Sequence, residues 1–84
     1  PSVVSLLFGY QADHDIIEVE MRNPALSGVM IRDLELASGA FLLAIRRGTV
    51  VRMARGKTVL RLGDQVAVAG PLEDLDAVKR LFSP

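Results

Sequence analysis

Six of the ten basic residues of this chain fall in one acid-free segment: Arg46, Arg47, Arg52, Arg55, Lys57 and Arg61 lie between Glu35 and Asp64. A guanidinium offers parallel N–H donors in a planar fork, a geometry matched to phosphate and carboxylate. A segment so composed can hold a nucleotide or another small anion. The plain alternative is that alternate strand positions turn these arginines to solvent or to acids of another chain. Nucleic acid is a third reading, weakened because no aromatic residue interleaves with the arginines to stack on bases.

His14 sits among Asp13, Asp15, Glu18 and Glu20. A histidine flanked by carboxylates can ligate a divalent cation. The spacing is poor, because Asp13 and Asp15 diverge and Glu18 and Glu20 share the solvent side of an alternating run. A solvated acidic linker is the better reading, and no metal is expected. The chain has no cysteine, one histidine, and five serines, none in a nucleophile-elbow context; its seven glycines lack phosphate-loop spacing. No enzyme is expected. Zero net charge removes global steering toward nucleic acid or anionic membrane. The longest uncharged run, residues 1–12, is too short to span a bilayer.

The elements that must position these groups can be read from periodicity. Residues 1–8, "PSVVSLLF", place Val3, Val4, Leu7 and Phe8 at helical spacing, with Gly9 as the stop. "IIEVEM" alternates, with Ile17, Val19 and Met21 on one face, which predicts a half-buried strand. After the Asn23-Pro24 break, Leu26, Met30 or Ile31, and Leu34 suggest a short helical turn with Ser27 as its N-cap. "AFLLAIRR" suits a central strand, and Gly48-Thr49 joins it to a returning strand "VVRM". Leu60 and Leu62 alternate before Gly63-Asp64, and Val66 and Val68 alternate after it. Gly63 is expected at positive φ, with Asp64 bonding nearby backbone N–H groups. On that reading Gly63→Val costs more than Asp64→Ala, which loses about 1 kcal/mol of local hydrogen bonding. Gly70 ends the strand and Pro71 takes the first helical position. Leu72, Leu75, Val78, Leu81 and Phe82 form one apolar stripe of the last helix, with Glu73, Asp74 and Asp76 near its start and Lys79 and Arg80 near its end. The expected fold is one α+β domain: a small antiparallel sheet, a short helix after the first strand, and a C-terminal helix packed on one face. Half the residues of this short chain are hydrophobic. A small core cannot use all of that surface, so a homodimer is expected, with Val3, Val4, Leu7 and Phe8 as the contact.

Leu26-Ser27-Gly28 followed by Ile31 and "DLEL", then "AIRRG", then "LRLGDQVAVAGPLEDLDAVKRLF" form an ordered set from about residue 18 to residue 82. In order and spacing it resembles the TrkA C-terminal domain, also called RCK-C, of potassium channels and potassium transport regulators. The segment "PSVVSLLFG" is similar to the one that leads into this domain from an upstream nucleotide-binding RCK-N half. The resemblance divides the chain into 1–16, a linker or crossover helix from an upstream domain, and 17–84, the RCK-C regulatory domain. Many members carry proline just after the strand that here reads "VVRM"; Ala54-Arg55 stands in its place, which bears on the shape of that turn.

The resemblance implies a cytoplasmic module at the inner face of the membrane. It would form a homodimer and regulate a potassium channel, transport regulator or antiporter through an upstream RCK-N or transmembrane domain. In some members a small ligand sits in the dimer cleft, and cyclic di-AMP is such a nucleotide effector. Transferred to this sequence, the cleft positions are Leu36, Ser38, Phe41 and Arg46, with Arg32 nearby. Phe41 would stack on a base or fill the core; Arg46 would meet a phosphate or pair with an acid. A dimerisation module without a ligand and a nucleic-acid-binding domain stand as alternatives.

Overall fold

The computed structural model describes residues 13–84. The expected helix over residues 1–8, and with it the expected dimer contact of Val3, Val4, Leu7 and Phe8, lies outside the described residues. Four strands, β1 (His14–Glu20), β2 (Phe41–Arg47), β3 (Val50–Met53) and β4 (Gln65–Pro71), form one antiparallel sheet. Their order is β1-β4-β2-β3. Among the described residues the α-helix is α1 (Leu72–Leu81), which follows β4 directly and lies against β4 and β1.

Register and alternation divide the sheet into two faces. Ile17 opposite Val68, Val19 opposite Val66, and Ile45 opposite Val66 on the other side all face α1. Leu75, Val78 and Phe82 of the C-terminal segment close this core, with Met21, Leu42 and Leu60. Leu81 packs partly against it, while Leu72 is exposed. The other face carries Ile16, Glu18 and Glu20 of β1, Gln65, Ala67 and Ala69 of β4, Phe41, Ala44 and Arg46 of β2, and Val51 and Met53 of β3. A bulge between Leu42 and Ala44 keeps both ends of β2 in phase with β4.

The sequence-based boundaries move in four places. Strand β1 starts at His14, so it includes three residues assigned to the linker, and it ends before Met21. The helical segment after it is two 3-10 turns, Pro24–Leu26 and Ile31–Asp33. Ser27 ends the first of them, and the cap is Asn23, whose side-chain oxygen accepts from Ala25 N at 3.0 Å. Asn-Pro supplies a start signal one turn earlier than Ser27 does, since proline suits the first helical position. Leu60 and Leu62 are not in a strand. Leu60 is buried and Leu62 exposed, and this segment instead runs beside residues 28–32 through Gly28 N to Leu60 O (2.8 Å), Leu60 N to Val29 O (2.9 Å) and Ile31 N to Thr58 O (2.9 Å). Pro71 is the last residue of β4 and precedes the first helical residue, Leu72.

Two glycines hold the chain in backbone conformations that strain other residues. Gly63 has φ +87° in the turn before β4, as expected from sequence. Gly70 has φ +153°, and a Cβ there would come within 2.5 Å of Gly39 O. The turn at residues 38–39 therefore presses directly on β4, which fixes the entry to β2.

Candidate functional site

Arg46 and Arg47 are adjacent on β2, so the strand sends them to opposite faces. Arg46 Nη2 donates to Glu18 Oε1 at 2.8 Å on the sheet face away from α1, where both side chains are about half exposed. Arg47 turns toward the core side and meets Asp64. Its Nε donates to Asp64 Oδ1 and its Nη2 to Asp64 Oδ2, both at 2.8 Å, and Nη2 also reaches Val59 O at 3.1 Å. Arg61 N donates to Asp64 Oδ2 at 2.9 Å. Asp64 is only 1% exposed, while Arg47 is 42% exposed. Backbone bonds tie the same turn to the end of β1: Met21 N donates to Asp64 O and Gly63 N to Met21 O, both at 2.8 Å. Burial pushes the Asp64 carboxyl up, but the hydrogen bonds from Arg47 and Arg61 N, with the nearby positive charges, outweigh it. The carboxyl is held below the usual range, and the Arg47 guanidinium is raised. Sequence reasoning gave Asp64 only a local turn role, counted Arg47 among the six basic residues of a candidate anion site, and did not pair the two.

The positions expected at the ligand cleft are spread over this protomer. Leu36 packs partly against the core and, with Glu35 and Ala37, walls a groove of about 340 Å³ whose other side is the second half of α1 at Ala77, Arg80 and Leu81. Ser38 lies in the exposed turn before β2, above the N-terminal end of α1, where Gly39 has no room for a side chain beside Asp74 and Pro71. Phe41 is 52% exposed and sits opposite Ala69 on the face away from α1, so it does not fill the core. Arg46 sits opposite Gln65 on that same face, four β4 positions from Ala69, or about 13 Å along the strand. Arg32 belongs to the second 3-10 turn, where its N donates to Gly56 O at 2.9 Å. The structure thus brings Phe41 and Arg46 to one face, puts Leu36 on the groove beside α1, and keeps Arg32 apart by the 56–60 segment.

The acidic cluster does not converge. His14 Nδ1 lies 3.0 Å from Asp13 Oδ1, Asp15 Oδ1 accepts from Ile16 N at 2.7 Å, Glu18 pairs with Arg46, and Glu20 accepts from Gln65 Nε2 at 3.1 Å. Among the described residues no helix is long and apolar enough to cross a membrane.

The turn bearing Gly63-Asp64, the strand it launches, and the helix that closes on Phe82 all lie within the range that the family comparison covers. The TrkA-C domain family matches residues 16–83. The chain belongs to the TrkA-C family. A Trk system potassium uptake protein TrkA homolog of Archaeoglobus fulgidus is 35% identical over 71 residues, which are 83% of this chain and 16% of that protein. The TrkA-C chain therefore spans about a sixth of the length of that relative. Among solved structures, an RCK domain with cda superposes with a TM-score of 0.77 at 25% identity, covering 81% of this chain and 97% of that one. The RCK C domain of the potassium transport protein KtrA, in complex with cyclic di-AMP, superposes with a TM-score of 0.72 at 25% identity, covering 82% and 84%. This is an RCK-C regulatory domain of the kind found in potassium transport systems.

Proposed function

We propose that this domain senses a small anionic nucleotide in a cleft between two protomers and so regulates a potassium channel or transporter to which it is joined. Cyclic di-AMP is the leading candidate ligand. The observation that carries the reading is the close superposition on the KtrA RCK C domain in complex with cyclic di-AMP. On this chain, Leu36, Ser38, Phe41 and Arg46, with Arg32 nearby, form the proposed ligand surface. A half-exposed phenyl ring on an open sheet face is suited to stacking on a base. Arg46 can exchange its exposed partner Glu18 for a phosphate at small cost, because exposed ion pairs contribute only about 0–1 kcal/mol. Two protomers supply what one lacks, since Leu36 and Phe41 do not share a cleft within one chain. The module would act in the cytoplasm, at the inner face of the membrane, through an upstream RCK-N or transmembrane domain. The residues of 1–16 would serve as the linker to that domain, and Val3, Val4, Leu7 and Phe8 as part of the dimer contact.

A dimerisation module without a ligand is the second reading. Val51 and Met53 stand exposed on the edge strand β3, on the same face as Phe41, which favours an apolar contact of some kind. Calorimetric titration with cyclic di-AMP, paired with sedimentation, separates the two readings: a dimer that binds nothing supports the second.

A further inference from the structure

The basic segment contains a second concave site that the proposed nucleotide cleft does not use. The β2–β3 hairpin and the segment carrying Thr58 and Arg61 enclose a cleft of about 230 Å³. Arg47, Arg52 and Arg61 line it together with Thr58, over an apolar floor that includes Ile45. The sheet register explains the convergence. Arg52 is opposite Ile45, so it projects to the core side of the sheet, and Val50 is opposite Arg47 on that side. Arg61 comes from the far wall, which backbone bonds from residues 28–32 hold in place.

The charges do not balance there. Arg47 is satisfied by Asp64, but Arg52 and Arg61 have no carboxylate partner among the described residues. Three guanidiniums against one carboxylate leave an excess of two positive charges in one cleft of a chain whose formal charge is zero. Like charges gathered in a concave, partly apolar site repel more strongly than on an open surface, and an anion between them removes that repulsion. Arg47 is already fixed by two bonds to Asp64, so one wall of the site is ordered before any ligand arrives.

We propose that this cleft binds a phosphate-bearing small anion, with Arg52 and Arg61 as the ligating forks and the Thr58 hydroxyl as an added donor. Its volume lies below the usual range of roughly 300–1,000 Å³ for whole drug-sized ligands. It accommodates a phosphate or diphosphate group rather than a dinucleotide. The site shares no residue with Leu36, Ser38, Phe41 or Arg46, so the domain would read two anionic signals at separate places.

The test is a titration of the isotopically labelled 84-residue chain with inorganic pyrophosphate, followed by NMR of the backbone amides and the arginine Nε–H groups. Citrate at matched ionic strength is the control, and Arg52→Gln and Arg61→Gln are the variants; both positions are exposed, and preserved spectra confirm their folds. The expected result is saturable shifts confined to Arg47, Arg52, Thr58 and Arg61, weaker with citrate, and an affinity at least about tenfold lower in either variant. Shifts that grow without saturation and extend equally to Lys79 and Arg80 would overturn the proposal. Equal or tighter binding of citrate would also overturn it, and would point to carboxylates of a protein partner instead. A parallel titration with cyclic di-AMP keeps this site distinct from the proposed function, because Arg52→Gln leaves any response at residues 36–41 unchanged.

Discussion

Replacing Arg47 with methionine keeps the alkyl stem and removes the guanidinium from Asp64. Two charge-assisted hydrogen bonds of 2.8 Å are lost from a carboxylate that is 1% exposed. Bonds to charged groups contribute about 1.5–3 kcal/mol each. Arg47 is 42% exposed and partly screened by water, so the lower figure applies, giving about 3 kcal/mol. That is at the low end of the cost of breaking a buried pair, and it removes a large share of a small domain's stability. The pH profile should change shape as well. In the native chain the Asp64 carboxyl is depressed, so its contribution is complete above about pH 4 and disappears as the pH falls through its folded value. In Arg47→Met the hydrogen bonds and charge of Arg47 no longer oppose burial, so the Asp64 carboxyl moves up from its native folded value, with only Arg61 N and the Arg61 charge still holding it down. The stability that the native carboxyl adds above about pH 4 is then reduced or absent, and the variant profile is flatter than the native one. Urea unfolding at a series of pH values between about 3 and 7 measures both effects. A loss under about 1 kcal/mol at pH 7, or a variant profile parallel to the native one, would refute this account of the pair.

Asp64→Ala should cost more than Gly63→Ala, and more than the loss of about 1 kcal/mol expected for it from sequence. The first strips a buried anchor for Arg47 and Arg61 N, about 3 kcal/mol, while the second meets open space and adds only about 1–2 kcal/mol of backbone strain; urea midpoints rank them. Gly70→Ala should be worse than Gly63→Ala, because its Cβ would strike Gly39 O in addition to the unfavourable φ; thermal unfolding of the two variants decides it. Phe41→Ala should leave stability within about 0.5 kcal/mol, since the ring is half exposed, yet weaken cyclic di-AMP about tenfold if the ring stacks on a base; paired urea and calorimetric titrations separate the effects.

Much of the fold was legible because its signals are local. The alternation of Ile17 and Val19, the apolar run of β2, the Gly48-Thr49 hairpin and the acidic start and basic end of α1 each depend on neighbours within a few residues. The insertion of β4 between β1 and β2 was not legible in this way, because those pairings join residues about 20 to 60 positions apart. The Arg47/Asp64 pair was half legible. Asp64 stands two residues before Val66 and Arg47 two after Ile45, so strand parity alone places both on the buried side. Reading Asp64 as a turn residue hid that parity. Phe41 was ambiguous for a related reason: the bulge at Leu42 and Ala44 changes the phase within β2, so the burial of Ile45 does not reveal where Phe41 points.

Calorimetric titration of the 84-residue chain with cyclic di-AMP tests the central claim most directly. The account predicts a saturable isotherm with one ligand per two chains, and a gain of about 2.7 kcal/mol in unfolding free energy at a hundred times the dissociation constant. A flat titration and an unchanged melting point, from a chain that sedimentation shows to be a folded dimer, would contradict ligand sensing and leave dimerisation as the function.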